Sequence, residues 1–151
     1  MNQDNKILAQ KFLHLTWNQG DFSQISDLAA ENFYYKTTFT DDILSLSEYL
    51  EFINTFKTAI PDLLIHTEES MSEDDRVMTH VSFSGVVAKP VYGIPVSDKI
   101  ITFEAMSLWD IKNGRVASLN TLIDIGGIER QLNTRLPRKP LSGYSSIQNA
   151  S

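Results

Sequence analysis

The chain has 151 residues, 42% of them hydrophobic and 21% charged, which suits a single globular domain with a core of its own. Thirteen lysines and arginines against nineteen aspartates and glutamates leave a net charge of −6, a balance that argues against nucleic acid or an anionic membrane surface as partner. Without cysteine there are no disulfides, thiolate metal sites or cysteine nucleophiles.

The opening segment, MNQDNKILAQKF, is polar and then amphipathic, unlike the basic and then apolar start of a signal peptide. No apolar run approaches membrane-spanning length, so a soluble, cytoplasmic protein is expected. Ile7, Leu8, Phe12 and Leu15 recur at helical spacing, and Gly20 supplies the stop. Asp21 and Gln24 form a capping pair for a short second helix carrying Ile25 and Leu28. Residues 32–39, NFYYKTTF, are aromatic and β-branched, which predicts a strand. A third helix follows, with Ser45 and Glu48 as a capping box, a stripe of Leu46, Tyr49, Leu50, Ile53 and Phe56, and Pro61 as its end.

From there the period shifts from 3.6 toward 2. Residues 63–71, 76–87, 99–111 and 115–125 read as four strands, with turns at SEDD and KNGR and a longer loop, AKPVYGIPVSD. Residues 127–136 predict a last short helix. The expectation is α+β: N-terminal helices on a strongly curved, mostly antiparallel sheet that forms a cone with an interior pocket. Residues 1–136 make the single domain and 137–151 a flexible C-terminal tail.

Asn113-Gly114 predicts a two-residue type I′ turn, which sets the register of its hairpin. Counting outward pairs Ile111 with Val116, Trp109 with Ser118, Ser107 with Asn120, Ala105 with Leu122 and Phe103 with Asp124, all on one face. The other face is also largely apolar, and a second subunit is the economical cover, so a homodimer through the outer face of the sheet is expected. A single bulge would exchange the two faces.

In their order and spacing, AIPDL, SEDDRVMTHVSFSG, YGIPVSDKI, WDIKNGRV and DIGGIERQL resemble the SnoaL-like polyketide cyclases of the nuclear-transport-factor-2-like superfamily, over about residues 4 to 133. The resemblance implies the cone fold and a small cofactor-independent enzyme. Asp124 would then be the catalytic acid/base in aldol cyclisation, or in proton transfer next to a carbonyl, on a hydrophobic carbonyl compound. Such work needs a carboxyl raised toward neutrality by apolar surroundings, here Leu122 and Phe103. The chain departs from the family pattern with Leu119-Asn120 where His-Trp is usual, Lys36 for a histidine, and Ser97-Asp98 for Thr-Gly. A non-catalytic ligand-binding or association module of the same fold, and a ring hydroxylase, are the alternatives.

Asp124 also stands where a helix N-cap belongs, and the two roles are compatible. Asn120, Phe103, Leu122, Ser107, Trp109, Tyr35, Tyr49 and Phe56 are the candidate substrate-binding residues, the aromatic ones suiting a flat ligand. His66, Glu68 and His80 do not converge on one predicted face, so no metal is expected. Phosphate loop, dinucleotide fingerprint and nucleophile elbow are all missing, and no cofactor is expected.

Overall fold

The computed structural model describes residues 2–137. Helix α1 (Asn2–Leu13) runs into a π-helical turn, His14–Asn18. There Thr16 Oγ1 donates to Phe12 O at 2.7 Å, while Lys57 Nζ reaches over to donate to Trp17 O at 2.6 Å. A π-turn widens the helix by one residue. Here it delivers the Trp17 indole to the core. Helix α2 (Ile25–Leu28) has no side-chain cap: Asp21 instead accepts from the amide and hydroxyl of Ser23, at 3.1 and 2.7 Å. An Asx-type bond two residues ahead replaces the expected pair with Gln24.

Strand β1 (Ala29–Thr37) begins earlier than its aromatic run suggests, and β2 (Thr40–Leu44) has no counterpart in the sequence pattern. TDDIL lacks alternation because β2 is a short, polar edge strand paired only with β1. Helix α3 (Leu46–Ala59) forms as expected, with both halves of the Ser45/Glu48 box made. Strands β3 (Leu64–Glu73), β4 (Arg76–Val86), β5 (Ile100–Lys112) and β6 (Arg115–Ile123) follow, and α4 (Ile125–Leu132) ends at Asn133, which takes a left-handed conformation with φ 50°. The helix is therefore shorter than residues 127–136. Residues 138–151, most of the expected tail, lie outside the described residues.

The six strands form one mixed sheet in the order β2-β1-β6-β5-β4-β3, curled but not closed, with helices packed on it. Only β1 and β6 run parallel, so β1 joins the sheet between β2 and β6 rather than extending a consecutive meander. Among the described residues no helix is long and apolar enough to cross a membrane.

Asn113 and Gly114 take φ values of 53° and 73°, the type I′ geometry. Ile111 opposes Val116 as expected, and then the register slips: Asp110 pairs with Ser118, Trp109 with Leu119, Ser107 with Thr121 and Ala105 with Ile123. The extra residue is Ala117 in β6, a bulge that turns every later side chain of that strand over. Leu119, Thr121 and Ile123 therefore point inward, while Asn120 and Leu122 point outward, Leu122 being 67% exposed. At the SEDD turn Glu73 pairs with Arg76 and Met71 with Met78, and after an irregularity between Thr67 and Glu69 His66 pairs with Ser82.

Where β6 ends, β5 needs other partners for its backbone. The Asp124 amide donates to Glu104 O at 2.9 Å, in place of the expected pairing of Asp124 with Phe103. The Gln131 side chain then acts as a substitute strand, its oxygen accepting from Thr102 N at 2.7 Å and its amide donating to Thr102 O. These bonds fasten α4 across the end of the sheet.

Candidate functional site

The concave side of the sheet and α3 enclose an aromatic chamber. Trp17, Tyr35, Phe39, Phe52, Phe56, Phe83, Phe103 and Ile123 line it, and the void left among them is about 10 Å³. That is about the least room one water molecule needs. Phe83 and Phe103 stack at 4.9 Å between centroids, and Trp17 meets Phe83 edge-on at 5.1 Å.

A row of hydroxyls lies behind one member of this lining, Tyr35. Tyr35 is buried, with its hydroxyl in hydrogen-bonding reach of Thr37 and Thr121. Thr121 and Ser107 share a hydrogen bond of 2.8 Å. The parallel pairing of Thr37 with Thr121, and the antiparallel pairing of Thr121 with Ser107, set three hydroxyls side by side across β1, β6 and β5. Burial pushes the Tyr35 phenol up to about 12, with the hydrogen bonds from Thr37 and Thr121 acting the other way. Behind it, Tyr49 lies 4.2 Å from Tyr35 by centroid and accepts from Trp17 Nε1 at 3.1 Å. Burial raises the Tyr49 phenol as well. Apart from tyrosine and tryptophan, the buried polar side chains among the described residues are all serine or threonine.

The β4–β5 loop packs over three of the aromatics that line the chamber. Val91 and Ile94 bridge a tight turn and are buried, leaving Tyr92 and Gly93 at its tip with φ values of 47° and 83°. The Tyr92 ring stacks on Phe56 at 5.4 Å and also touches Phe52 and Phe39, at 5.1 and 5.8 Å, with 40% of the residue exposed. A left-handed conformation is unfavourable for a bulky side chain, by about 1–3 kcal/mol, and persists only where surroundings enforce it. Gly93 has no such freedom to gain a side chain: a Cβ there would come within 2.6 Å of Pro137.

The expected site residues separate into groups. Tyr35, Phe56 and Phe103 line the chamber, while Ser107 lies outside the lining and bonds Thr121 in the row of hydroxyls behind Tyr35. Tyr49 packs directly behind Tyr35. Trp109 faces the same side but is wholly core, its Nε1 donating to Thr79 at 2.9 Å. Asn120 and Leu122 are on the outer surface, removed from the chamber by the Ala117 bulge. Asp124 caps α4: Oδ1 accepts from Gly127 N at 3.0 Å, and Arg130 stands 3.9 Å from Oδ2. Its side chain is 45% exposed and borders an open outer groove with Glu68, Ser82, Glu104 and Arg130. The second of the two glycines after it has a local reason: a Cβ on Gly127 would lie 2.5 Å from the Asp124 carboxylate.

Thr121, Phe39, Phe52, Phe83, Ile123 and Tyr92 were missed by the residue pattern. The signal for Thr121 is present in β6, where Leu119, Thr121 and Ile123 inward against Asn120 and Leu122 outward gives a more apolar inner face than the alternative. Among the described residues no group of three His, Cys, Asp or Glu side chains is placed to hold a metal ion.

The family model described as SnoaL-like polyketide cyclase matches residues 7–132. No curated protein matches the sequence significantly. Among solved structures, a SnoaL-like polyketide cyclase from Agrobacterium tumefaciens superposes with a TM-score of 0.73 at 20% identity, over 85% of this chain and 97% of that one. TsrD from Streptomyces laurentii gives 0.74 at 21% identity, over 87% and 96%. IdmH from Streptomyces antibioticus gives 0.74 at 17%, over 86% and 99%. At these identities the neighbours speak for the fold, while the family model spans most of the chain: this protein belongs to the SnoaL-like polyketide cyclase family.

Proposed function

We propose that this protein takes a neutral, flat, hydrophobic carbonyl compound into the interior of its cone and promotes cyclase-type chemistry beside the carbonyl, without a cofactor. The observation that carries the reading is the aromatic chamber with Tyr35 in its lining, a row of hydroxyls behind that residue, and Tyr92 packed over its aromatics, which we read as a stopper. Aromatic walls with a few convergent polar groups are the usual make-up of a small-molecule site. Ligand entry requires the stopper to leave, because a drug-sized site needs hundreds of Å³ and the closed chamber holds about 10 Å³. Hydroxyls aimed at a carbonyl oxygen stabilise charge that develops there, which is what an aldol closure asks of its surroundings.

A second reading, binding without turnover, is favoured by one observation: the buried polar groups are hydroxyls, and the Asp124 carboxylate faces the outer groove. Within the first reading Asp124 as proton acceptor therefore needs a ligand that reaches the end of β6, past Ile123.

The homodimer belongs to the same proposal. Met71, Met78, Met106 and Leu122 are exposed on the outer face of neighbouring strands. Their flanks carry both signs of charge in the Arg76–Asp110 pair at 3.1 Å, and beside it His80 and Glu104 share a hydrogen bond of 2.7 Å. A second copy of the same surface suits such a face.

The test uses α-tetralone, a flat bicyclic ketone with exchangeable protons beside its carbonyl. Saturable binding is expected, tightened about fivefold or more in Tyr92→Gly, which keeps the turn and removes the stopper. Protein-dependent deuterium uptake beside the carbonyl supports turnover chemistry; binding without uptake leaves the second reading. No saturable binding to either protein contradicts both.

A further inference from the structure

We infer that Tyr35, backed by Thr37, Thr121 and Ser107, is the group that receives the ligand's carbonyl oxygen, and that the site selects neutral ketones over both hydrocarbons and carboxylates. The inference rests on the interior being the ligand site, and it goes beyond that reading by naming the oxygen's partner and the charge the site accepts. Tyr35 is the one hydroxyl-bearing residue among those lining the chamber, the other seven being Trp17, Phe39, Phe52, Phe56, Phe83, Phe103 and Ile123. Its phenol does not end in an apolar wall but joins a chain of hydroxyls running across three strands.

Each hydroxyl is both a donor and an acceptor. The Tyr35 oxygen can continue to accept from Thr37 or Thr121 while its proton turns toward a new acceptor in the chamber. A donor that is itself accepting a hydrogen bond is a stronger donor, because the chain polarises along its length. Held neutral by burial, the phenol offers its proton throughout the physiological range. A carbonyl oxygen, with two lone pairs and no proton, is the matching partner.

The same surroundings disfavour an anion. Lys57 is the partly buried cation nearest in sequence to the chamber residues, and its ammonium is engaged by the Trp17 and Asn18 carbonyls, at 2.6 and 3.4 Å. Hydroxyls alone compensate poorly for stripping water from a carboxylate.

The test compares three ligands of similar size: α-tetralone, tetralin (the same skeleton without the oxygen) and naphthoate. Wild-type protein should bind α-tetralone about three- to tenfold more tightly than tetralin, and naphthoate far more weakly than either. Isotope-edited infrared difference spectra of carbon-13-labelled α-tetralone should show its carbonyl stretch at lower wavenumber when bound. In Tyr35→Phe the stretch should return toward its apolar-solvent position and the preference over tetralin should vanish, with tetralin affinity kept. Thr121→Val should weaken the spectral shift without abolishing it, and serves if Tyr35→Phe does not fold. An unchanged stretch in both variants, or equal affinity for α-tetralone and tetralin in wild type, overturns the inference while leaving the interior as the site. Tight naphthoate binding overturns the charge selectivity. Failure of all three ligands to bind refutes the interior site itself.

Discussion

At Asp124 the contacts that exist are the contacts of a cap: the Gly127 amide at 3.0 Å, with Arg130 at 3.9 Å outside it. Aspartate and asparagine cap helices about equally well, whereas alanine in such a position costs about 0.5–2 kcal/mol. Asp124→Ala should accordingly lower the unfolding free energy by that amount in urea titrations, and Asp124→Asn should leave it nearly unchanged. Gly127→Ala should destabilise in the same assay, because the new Cβ would displace the carboxylate it now adjoins. An Asp124→Ala variant as stable as wild type would remove the cap as the reason for this residue. Tyr35 thus lies in the chamber lining while the Asp124 side chain borders the groove with Glu68, Ser82 and Glu104, and a single residue, Ala117, decides which side chains of β6 face inward. Had β6 run without that bulge, Asn120 rather than Thr121 would stand beside Ser107.

Among the elements, α3 and the Asn113-Gly114 turn were legible from residues alone, because their signals are local. Ser45 and Glu48 cap α3 reciprocally: the Glu48 amide donates to Ser45 Oγ at 3.3 Å and the Ser45 amide donates to Glu48 Oε1 at 2.9 Å. Those bonds hold the Glu48 carboxyl below its ordinary value of 4.5. A carboxylate with a depressed folded pKa contributes its stability above the ordinary pKa and loses it as pH falls through the folded value. Wild type and Glu48→Ala should therefore differ in stability above pH 4.5 and converge in more acidic solution; a difference that persists into strong acid would contradict the box as its source. The elements that escaped the sequence are those fixed by distant partners. The π-turn is held by Lys57, forty residues on. The edge strand β2 exists because β1 offers it a ladder, and the parallel alignment of β1 with β6 joins segments far apart in the chain. The candidate site divides the same way: Tyr35, Phe56, Phe103 and Ser107 carry their placement in strand and helix periodicity, whereas Thr121 depends on the bulge and Tyr92 on a loop packed against Pro137.

The whole molecule is a curled sheet with two differently committed faces. The inner face is filled by its own aromatics and closed by Tyr92, while the outer face leaves Met71, Met78, Met106 and Leu122 exposed. If a second copy covers that outer face, the combined change Met78→Glu and Leu122→Glu should convert a dimer to monomers in sedimentation equilibrium with the fold intact by circular dichroism. A wild-type protein that sediments as a monomer would contradict the assembly and leave the interior untouched. The central claim concerns the inner face, and methyl NMR tests it most directly. Ile123 has its side chain in the chamber, and Leu122, its immediate neighbour, points to the opposite side of the same sheet. With both methyl groups labelled and α-tetralone titrated in, the account predicts a saturable shift at Ile123, sharpened in Tyr92→Gly, and none at Leu122. A shift at Leu122 with Ile123 unmoved would place the ligand on the outer face and contradict the account.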